Sequence, residues 1–247
     1  MKNNIVAVWG SPSSGKTVTS MKLARELAAR KKNVIVIFAD LFCPMLSTVM
    51  PSVEVKGRTL GGLLSRPHIR QADIMRTAIP YPKHEYIAVI GYKNGDNIFT
   101  YSLFLAERVA EFISQLRQAA DYAIIDCSGV LTEDGFSTIA LQQADTVLRL
   151  CNADLKAFSY FTSHLPLISK AKFKSDQHIK VLSNLKPGQE EAAFRSIYGD
   201  IAYTLPYVKE IEQQFYSAGL LDALSGGEAK KYNAEIKKMA TEVFGLE

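Results

Sequence analysis

The octet Gly10-Ser11-Pro12-Ser13-Ser14-Gly15-Lys16-Thr17 constrains this chain more than any other stretch. It satisfies G-x-x-x-x-G-K-[S/T] without a mismatch. With glycine at about 7% of residues, such a coincidence arises at about 1 in 30,000 positions, so a single chain seldom carries one by accident. The context sharpens the reading. An apolar run, Ile5–Trp9, leads into the octet, and a helical pattern opens at Lys16 with Leu23, Ala24, Leu27 and Ala28 on one face. Strand, glycine loop and helix in that order build a phosphate cradle, because backbone N–H groups converge on an anion at the positive end of the helix. The alternative is a plain Gly/Ser turn ahead of a helix.

In a cradle of this kind the N–H groups of Ser13 to Thr17 surround a β-phosphate. Lys16 reaches the β- and γ-oxygens, and the Thr17 hydroxyl coordinates Mg²⁺. The candidate cofactor contacts are therefore Gly10, Ser11, Ser13, Ser14, Gly15, Lys16, Thr17 and Val18. Two carboxylates end apolar runs. Asp126 closes Tyr122-Ala123-Ile124-Ile125 and is followed by Cys127-Ser128-Gly129, an Asp with Gly three residues later. At the carboxyl end of a strand beside the loop it can hold a Mg²⁺-bound water; the alternative is a turn that ends the strand. Asp40 closes Val34–Ala39, where it can orient an attacking water or assist the metal. Its alternative is a helix N-cap or turn Asp before Pro44. Lys16 and Asp40 are the candidate catalytic groups, and Thr17, Asp126 and Asp40 the candidate metal ligands.

Short Val/Ile-rich runs alternate with helical segments along the whole chain, which predicts an α/β doubly wound, mostly parallel sheet flanked by helices. Expected strands are Ile5–Trp9, Val34–Ala39, Tyr86–Tyr92, Tyr122–Asp126, Thr146–Leu150, Lys180–Leu185 and Ile201–Leu205. Expected helices are Lys16–Arg30, Ser102–Ala120, Ser137–Gln143, Leu155–Ala171, Val208–Ala218 and Glu228–Phe244. Arg58–Pro80 reads as two short helices broken by Gly61-Gly62 and Pro67. Nothing resembles a linker or a repeat, so 1–247 reads as a single domain.

Composition bounds the function classes. Hydrophobic residues are 47% and charged residues 22% of the chain, which excludes a disordered or collagen-like protein. No apolar run reaches the length of a membrane span. Lys2 is followed by only five apolar residues before the glycine loop, unlike a secretory signal. Cys43, Cys127 and Cys151 form no C-x-x-C pair and read as free buried thiols of a reducing cytoplasm, so a cytoplasmic chain is expected. A net charge of +4 permits weak attraction to nucleic acid or anionic lipid without arguing for either.

With these residues placed, the chain resembles the MinD/ParA group of P-loop ATPases over nearly its whole length, and within it the TadZ/CpaE-like ATPases of pilus and secretion systems. The loop lies within the first twenty residues, an Asp ends strand two, and D-x-x-G stands at Asp126. Gln143-Ala144-Asp145-Thr146-Val147-Leu148 is similar to the family's A-D-x-V strand start. Val181-Leu182-Ser183-Asn184 is similar to its Asn-ended strand, whose Asn reads adenine. Tyr203-Thr204-Leu205-Pro206-Tyr207 resembles the I-P-Y-D turn that borders the base. The resemblance implies ATP or ADP with Mg²⁺ as ligands, Asn184, Pro206 and Tyr207 at the base, and Asp40 as the carboxylate associated with hydrolysis. It also implies a homodimer and a protein partner. Two departures stand out. Ser11 replaces the lysine that in the family crosses a nucleotide-sandwich dimer, with Pro12 and Ser13 in place of two glycines. Strand two ends Phe38-Ala39-Asp40, where the family has D-x-D. Losing the crossing lysine removes a charge that stabilises the transition state, so nucleotide binding is expected with slow or partner-dependent hydrolysis.

Weaker features allow other readings. Ala229, Tyr232, Ile236, Met239, Ala240, Val243 and Phe244 share a helical face that either packs on the sheet or, as in MinD, binds membrane. Lys170, Lys172, Lys174 and Lys180 form either a solvated surface or a DNA contact. Arg58, Arg66, Arg70 and Arg76 could cover phosphates in a small-molecule phosphotransferase. Tyr207 and Phe215 read as core or base-edge residues, and the histidines show no metal spacing. The leading expectation is an ATPase switch that positions or regulates a protein assembly. The alternatives are a non-hydrolysing nucleotide-binding scaffold, a DNA-partitioning ATPase and the phosphotransferase.

Overall fold

The computed structural model describes residues 4–101 and 105–246. One eight-stranded sheet runs through it: β1 Ile5–Gly10, β2 Val34–Phe38, β3 Ile79–Pro80, β4 Ile87–Gly91, β5 Tyr122–Asp126, β6 Thr146–Asn152, β7 Ile179–Leu185 and β8 Ile201–Pro206, in the spatial order β3-β4-β2-β5-β1-β6-β7-β8. Every pairing is parallel except β3 with β4. The helices are α1 Lys16–Ala29, α2 Leu46–Val49, α3 Leu60–Leu64, α4 Gln71–Thr77, α5 Ala106–Ala119, α6 Phe136–Gln143, α7 Leu155–His164, α8 Glu191–Tyr198, α9 Lys209–Tyr216 and α10 Gly227–Phe244.

The central strands are buried on both faces, which is why they read as continuous apolar runs. Their two-residue period sorts them into two cores. Val6, Val8, Val36 and Leu148 face α1 and α10, whereas Ile5, Ala7, Trp9, Ile35 and Ile37 face α5, α6 and α7. Asp145 sets the start of the central strand by accepting hydrogen bonds from the Asn4 and Ile5 N–H groups, and Arg117 neutralises it at 2.7 Å. The chain passes from β1 to one side of the sheet through β2 and β5, and to the other through β6. A doubly wound sheet opens its ligand crevice at such a reversal, outside the carboxyl ends of the strands.

Several boundaries differ from expectation, each for a local reason. The helix expected over Leu155–Ala171 stops at His164 and continues as a 3₁₀ turn, Leu165–Ile168, because Pro166 has no N–H to donate. Gly61 and Gly62 do not break a helix but lie inside α3, whose first turn is capped by Thr59 accepting from the Gly62 N–H at 3.1 Å. Only the break around Pro67 is present. The helix expected from Ser102 has its first residues outside the described part, and α5 begins at Ala106. Two α-helices and one strand were not expected: α2, α8, which buries no residue fully, and β3, whose Pro80 is tolerated at the antiparallel sheet edge. The amphipathic face of the last helix is buried against α1 and β8, so it serves the core and is not presented to a membrane. Among the described residues no helix is long and apolar enough to cross a membrane.

Candidate nucleotide site

The octet joins the carboxyl end of β1 to the first turn of α1. Its two glycines are needed for different reasons. Gly15 has φ +78 and is the N-cap of α1, a left-handed position that a Cβ disfavours. Gly10 lies so close to β6 that a Cβ on it would stand 2.1 Å from the Leu150 carbonyl oxygen. The next residue completes that contact, as the Ser11 N–H donates to the same oxygen at 3.3 Å.

Neighbouring strands hold the loop from behind. Asn152 donates to the Ser13 carbonyl at 3.3 Å, and the Ser183 hydroxyl to the Ser14 carbonyl at 2.7 Å. In a trans peptide C=O and N–H point in opposite directions, so the Gly15 N–H lies away from Ser183. The Lys16 and Thr17 N–H groups belong to the first turn of α1, where no carbonyl of the helix can reach them. Of the amides expected to converge, that of Ser14 is already engaged with the Ser11 carbonyl at 3.2 Å. The Lys16 ammonium folds across the loop onto the Gly10 and Ser11 carbonyls at 3.4 and 3.2 Å, long contacts that an anion can replace.

The cation end is built by residues far apart in sequence. The Thr17 hydroxyl donates to Asp126 Oδ2 at 2.6 Å. Asp126 is buried, and burial pushes its carboxyl up to about 7, against the lowering effect of the Thr17 hydrogen bond and the Lys16 charge. A buried carboxylate beside a hydroxyl is a hard-oxygen donor pair, and a dication next to it would restore the ionised form. Among the described residues no group of three or more His, Cys, Asp or Glu gathers into a metal cage. The Thr17–Asp126 pair itself suits Mg²⁺, which keeps several waters and takes few protein ligands. Asp40 lines the same cavity from the end of β2. Its Oδ1 accepts from the Phe42 and Cys43 N–H groups at 2.9 and 3.1 Å, so it also shapes its own turn.

The cavity beside the loop encloses about 880 Å³, within the range of small-molecule sites. Of the expected contacts, Ser13, Ser14, Gly15, Lys16, Thr17, Val18, Asn184, Pro206 and Tyr207 line it together with Asp40 and Asp126. Gly10 and Ser11 do not. Gly10 is pressed against β6 and Ser11 is buried at 1% exposure with its hydroxyl unpartnered, so this corner stands behind the cavity wall. Asn184 is exposed there because β7 and β8 lose register between Leu182 and Leu185. The residue adopts φ +58 in that irregularity and leaves the ladder. Tyr207 follows β8, pinned by its N–H to the Leu185 carbonyl at 2.8 Å, with Lys186 over its ring at 5.6 Å.

No protein-family model matches the sequence, and no curated protein matches it. Solved structures do match. The septum site-determining protein MinD of Pyrococcus horikoshii, complexed with Mg-ADP, aligns over 98% of this chain and 96% of its own, at 18% identity and TM-score 0.71. A ParA family ATPase of Chlorobium tepidum gives TM-score 0.76 at 13% identity, over 97% and 99% of the two chains. An ATP complex of a McdA variant of Cyanothece gives TM-score 0.73 at 17% identity, over 100% and 98%. The fold is that of the MinD/ParA ATPases.

Within this MinD/ParA fold several expectations need correction. None of Arg58, Arg66, Arg70 and Arg76 lines the cavity. Arg66 and Arg76 instead pair with Asp73 at 2.6 and 3.5 Å, so they form no phosphate cover. Cys127 and Cys151 are buried as expected, but Cys43 is exposed at the cavity rim. Of the two readings given for Phe215 and Tyr207, core or base edge, their place on the cavity wall agrees with the second. Lys170, Lys172 and Lys174 are exposed, whereas Lys180 donates to the Tyr198 carbonyl at 2.9 Å. Sequence reasoning missed Tyr160 and His164, which reach the cavity from α7, and Phe42, Glu212 and Tyr216 on its rim. None belongs to a motif. Their shared signal is only position, on segments that follow strand ends on the ligand side.

Proposed function

We propose that the chain is a Mg-ATP-binding switch protein of the MinD/ParA type, a slow ATPase whose nucleotide state positions or regulates a protein assembly. The observation that carries the reading is the contact of Thr17 with Asp126 at 2.6 Å beside the glycine loop. It joins a phosphate cradle to a hard-cation donor pair at one cavity. Mg²⁺ held there would neutralise charge on the phosphates. Lys16 is the residue positioned to meet the β- and γ-oxygens. Asn184, Pro206 and Tyr207, at the far side of the same cavity, support adenine as the base. The Mg-ADP and ATP complexes of the P. horikoshii and Cyanothece proteins agree with this ligand class. A homodimer and a partner of the pilus and secretion type belong to the same proposal; the latter rests on the sequence resemblance alone, with which the departure at Ser11 is compatible.

One observation favours a second reading, a scaffold that binds without hydrolysing. Asp40 spends Oδ1 on its own turn. Titration of fluorescent ATP into wild type and Lys16→Ala, with Mg²⁺ present and GTP as competitor, tests the binding claim. Loss of binding in the variant and weak competition by GTP are expected. Equal affinities for the two proteins would remove the loop from consideration.

A further inference from the structure

We propose that Tyr160 is a positioning residue for Gly129: its hydroxyl fixes the Gly129–Val130 peptide so that the site distinguishes a nucleoside triphosphate from a diphosphate. This rests on the nucleotide-switch reading above and adds a residue outside every motif of that reading.

The segment after Asp126 is braced from three sides. The Tyr160 hydroxyl donates to the Gly129 carbonyl oxygen. The N–H of the same peptide, that of Val130, donates to the Ser128 hydroxyl at 3.1 Å. The Ser128 N–H in turn donates to the Ser137 hydroxyl on α6 at 2.8 Å. One donor of the segment remains, the Gly129 N–H, which has no acceptor among the described residues. Gly129 lines the cavity on the Lys16 side, where the nucleotide reading would put the end of a triphosphate. A Cβ built on it would stand 3.8 Å from the Lys16 ammonium and 3.8 Å from the Tyr160 hydroxyl.

The tyrosine ring is packed among aromatic neighbours. Its ring stacks on His164 at 4.0 Å and 19°, meets Phe161 edge-on at 5.2 Å, and lies 5.9 Å from the fully buried Trp9. Its pKa is raised by burial, so the group stays a donor across the working pH range. A neutral hydroxyl held this way sets a peptide plane without adding charge beside the phosphates. Without it, Gly129 regains the broad freedom of a glycine, and ordering it must be repeated at each binding event. That cost falls on a ligand long enough to reach Gly129. A diphosphate seated on the Gly15–Thr17 amides does not bear it.

The test compares ADP with the non-hydrolysable analogue AMPPNP, both with Mg²⁺, on wild type and Tyr160→Phe. The substitution keeps the ring and removes one hydroxyl, so packing is retained. The expected result is an ADP Kd within about twofold of wild type and an AMPPNP Kd raised about three- to tenfold, the range of one hydrogen bond. A role in packing alone would move both affinities together. Ser128→Ala releases the other end of the same peptide and should show the same selective loss. It decides the matter alone if Tyr160→Phe does not fold. If wild type binds both nucleotides and the ratio of the two Kd values is unchanged in the variants, the positioning role is wrong and the nucleotide reading stands. If wild type binds neither, both are wrong.

Discussion

The two glycines of the octet give a discriminating prediction, because the structure assigns them different duties. At Gly10 the obstacle is steric. A Cβ would approach the Leu150 carbonyl oxygen to 2.1 Å, where real Cβ atoms essentially never come within 3.0 Å, so β1 and β6 must separate by about 0.9 Å. Both are central strands with helices on each face, and the blocking atom is backbone, so no rotamer change relieves it. Overpacking in cores costs about 1–3 kcal/mol when side chains can adjust. Gly10→Ala should therefore cost at least about 3 kcal/mol, the upper end of that range. At Gly15 the obstacle is conformational. The residue has φ +78, with no atom within 4 Å of where a methyl group would stand, so only the left-handed strain of about 1–2 kcal/mol applies. At about 2–4 °C per kcal/mol for a chain of this size, Gly10→Ala should lower the melting temperature by about 10 °C and Gly15→Ala by about 4 °C. Thermal melts of both variants, followed by ADP titration of the folded protein, make the comparison. If Gly10→Ala melts within about 2 °C of wild type, or Gly15→Ala proves the more harmful, the separation of steric from conformational cost is wrong.

Two further outcomes follow from single side chains. Asp40→Ala should retain ATP binding within about twofold and lose turnover, at a stability cost of about 1 kcal/mol for the turn bonds to Phe42 and Cys43; unchanged turnover in a steady-state phosphate-release assay would move the water-orienting role elsewhere. His178 is buried, and desolvation together with Arg149 lowers its pKa from 6.5 to about 4, while its ring nitrogens meet Arg149 and the Phe173 carbonyl at 3.1 and 3.0 Å. Because the folded value lies below the unfolded one, the stabilisation is complete above about pH 6.5 and is lost as pH falls toward 4, an effect of about 3 kcal/mol over the full range. Urea unfolding of wild type and His178→Gln at pH 7 and 4.5 should show a steeper loss in wild type, and parallel losses would clear this imidazole of the role.

Much of the fold and part of the site were legible in local sequence. The octet specifies a strand-to-helix turn with a left-handed glycine, and the Val/Ile runs announce strands covered on both faces. Asp126 is legible because it ends an apolar run on the ligand side of the sheet; Asn184 was legible only through the family resemblance. The signal weakens where structure depends on little burial or on single residues: α8 buries nothing fully, and β3 is only Ile79-Pro80. The D-x-x-G glycine could be read from spacing. Tyr160 could not, since in sequence it is one more aromatic residue on an amphipathic helix.

Local chemistry, then, determined the element types, the glycine loop and the chemical character of the site, because dihedral limits, two-residue periods and missing N–H groups act within a few residues. Tertiary structure alone decided the strand order, which face each strand gives to which helices, and that the apolar side of α10 is used up in the core. It also decided why Gly10 must be glycine, and it brought Thr17 to Asp126 across 109 residues and Tyr160 to Gly129 across 31. The physical reason is the same in each case. A strand buried on both sides has no polar face to mark its orientation, and the approach of two distant backbones leaves no trace in the periodicity of either.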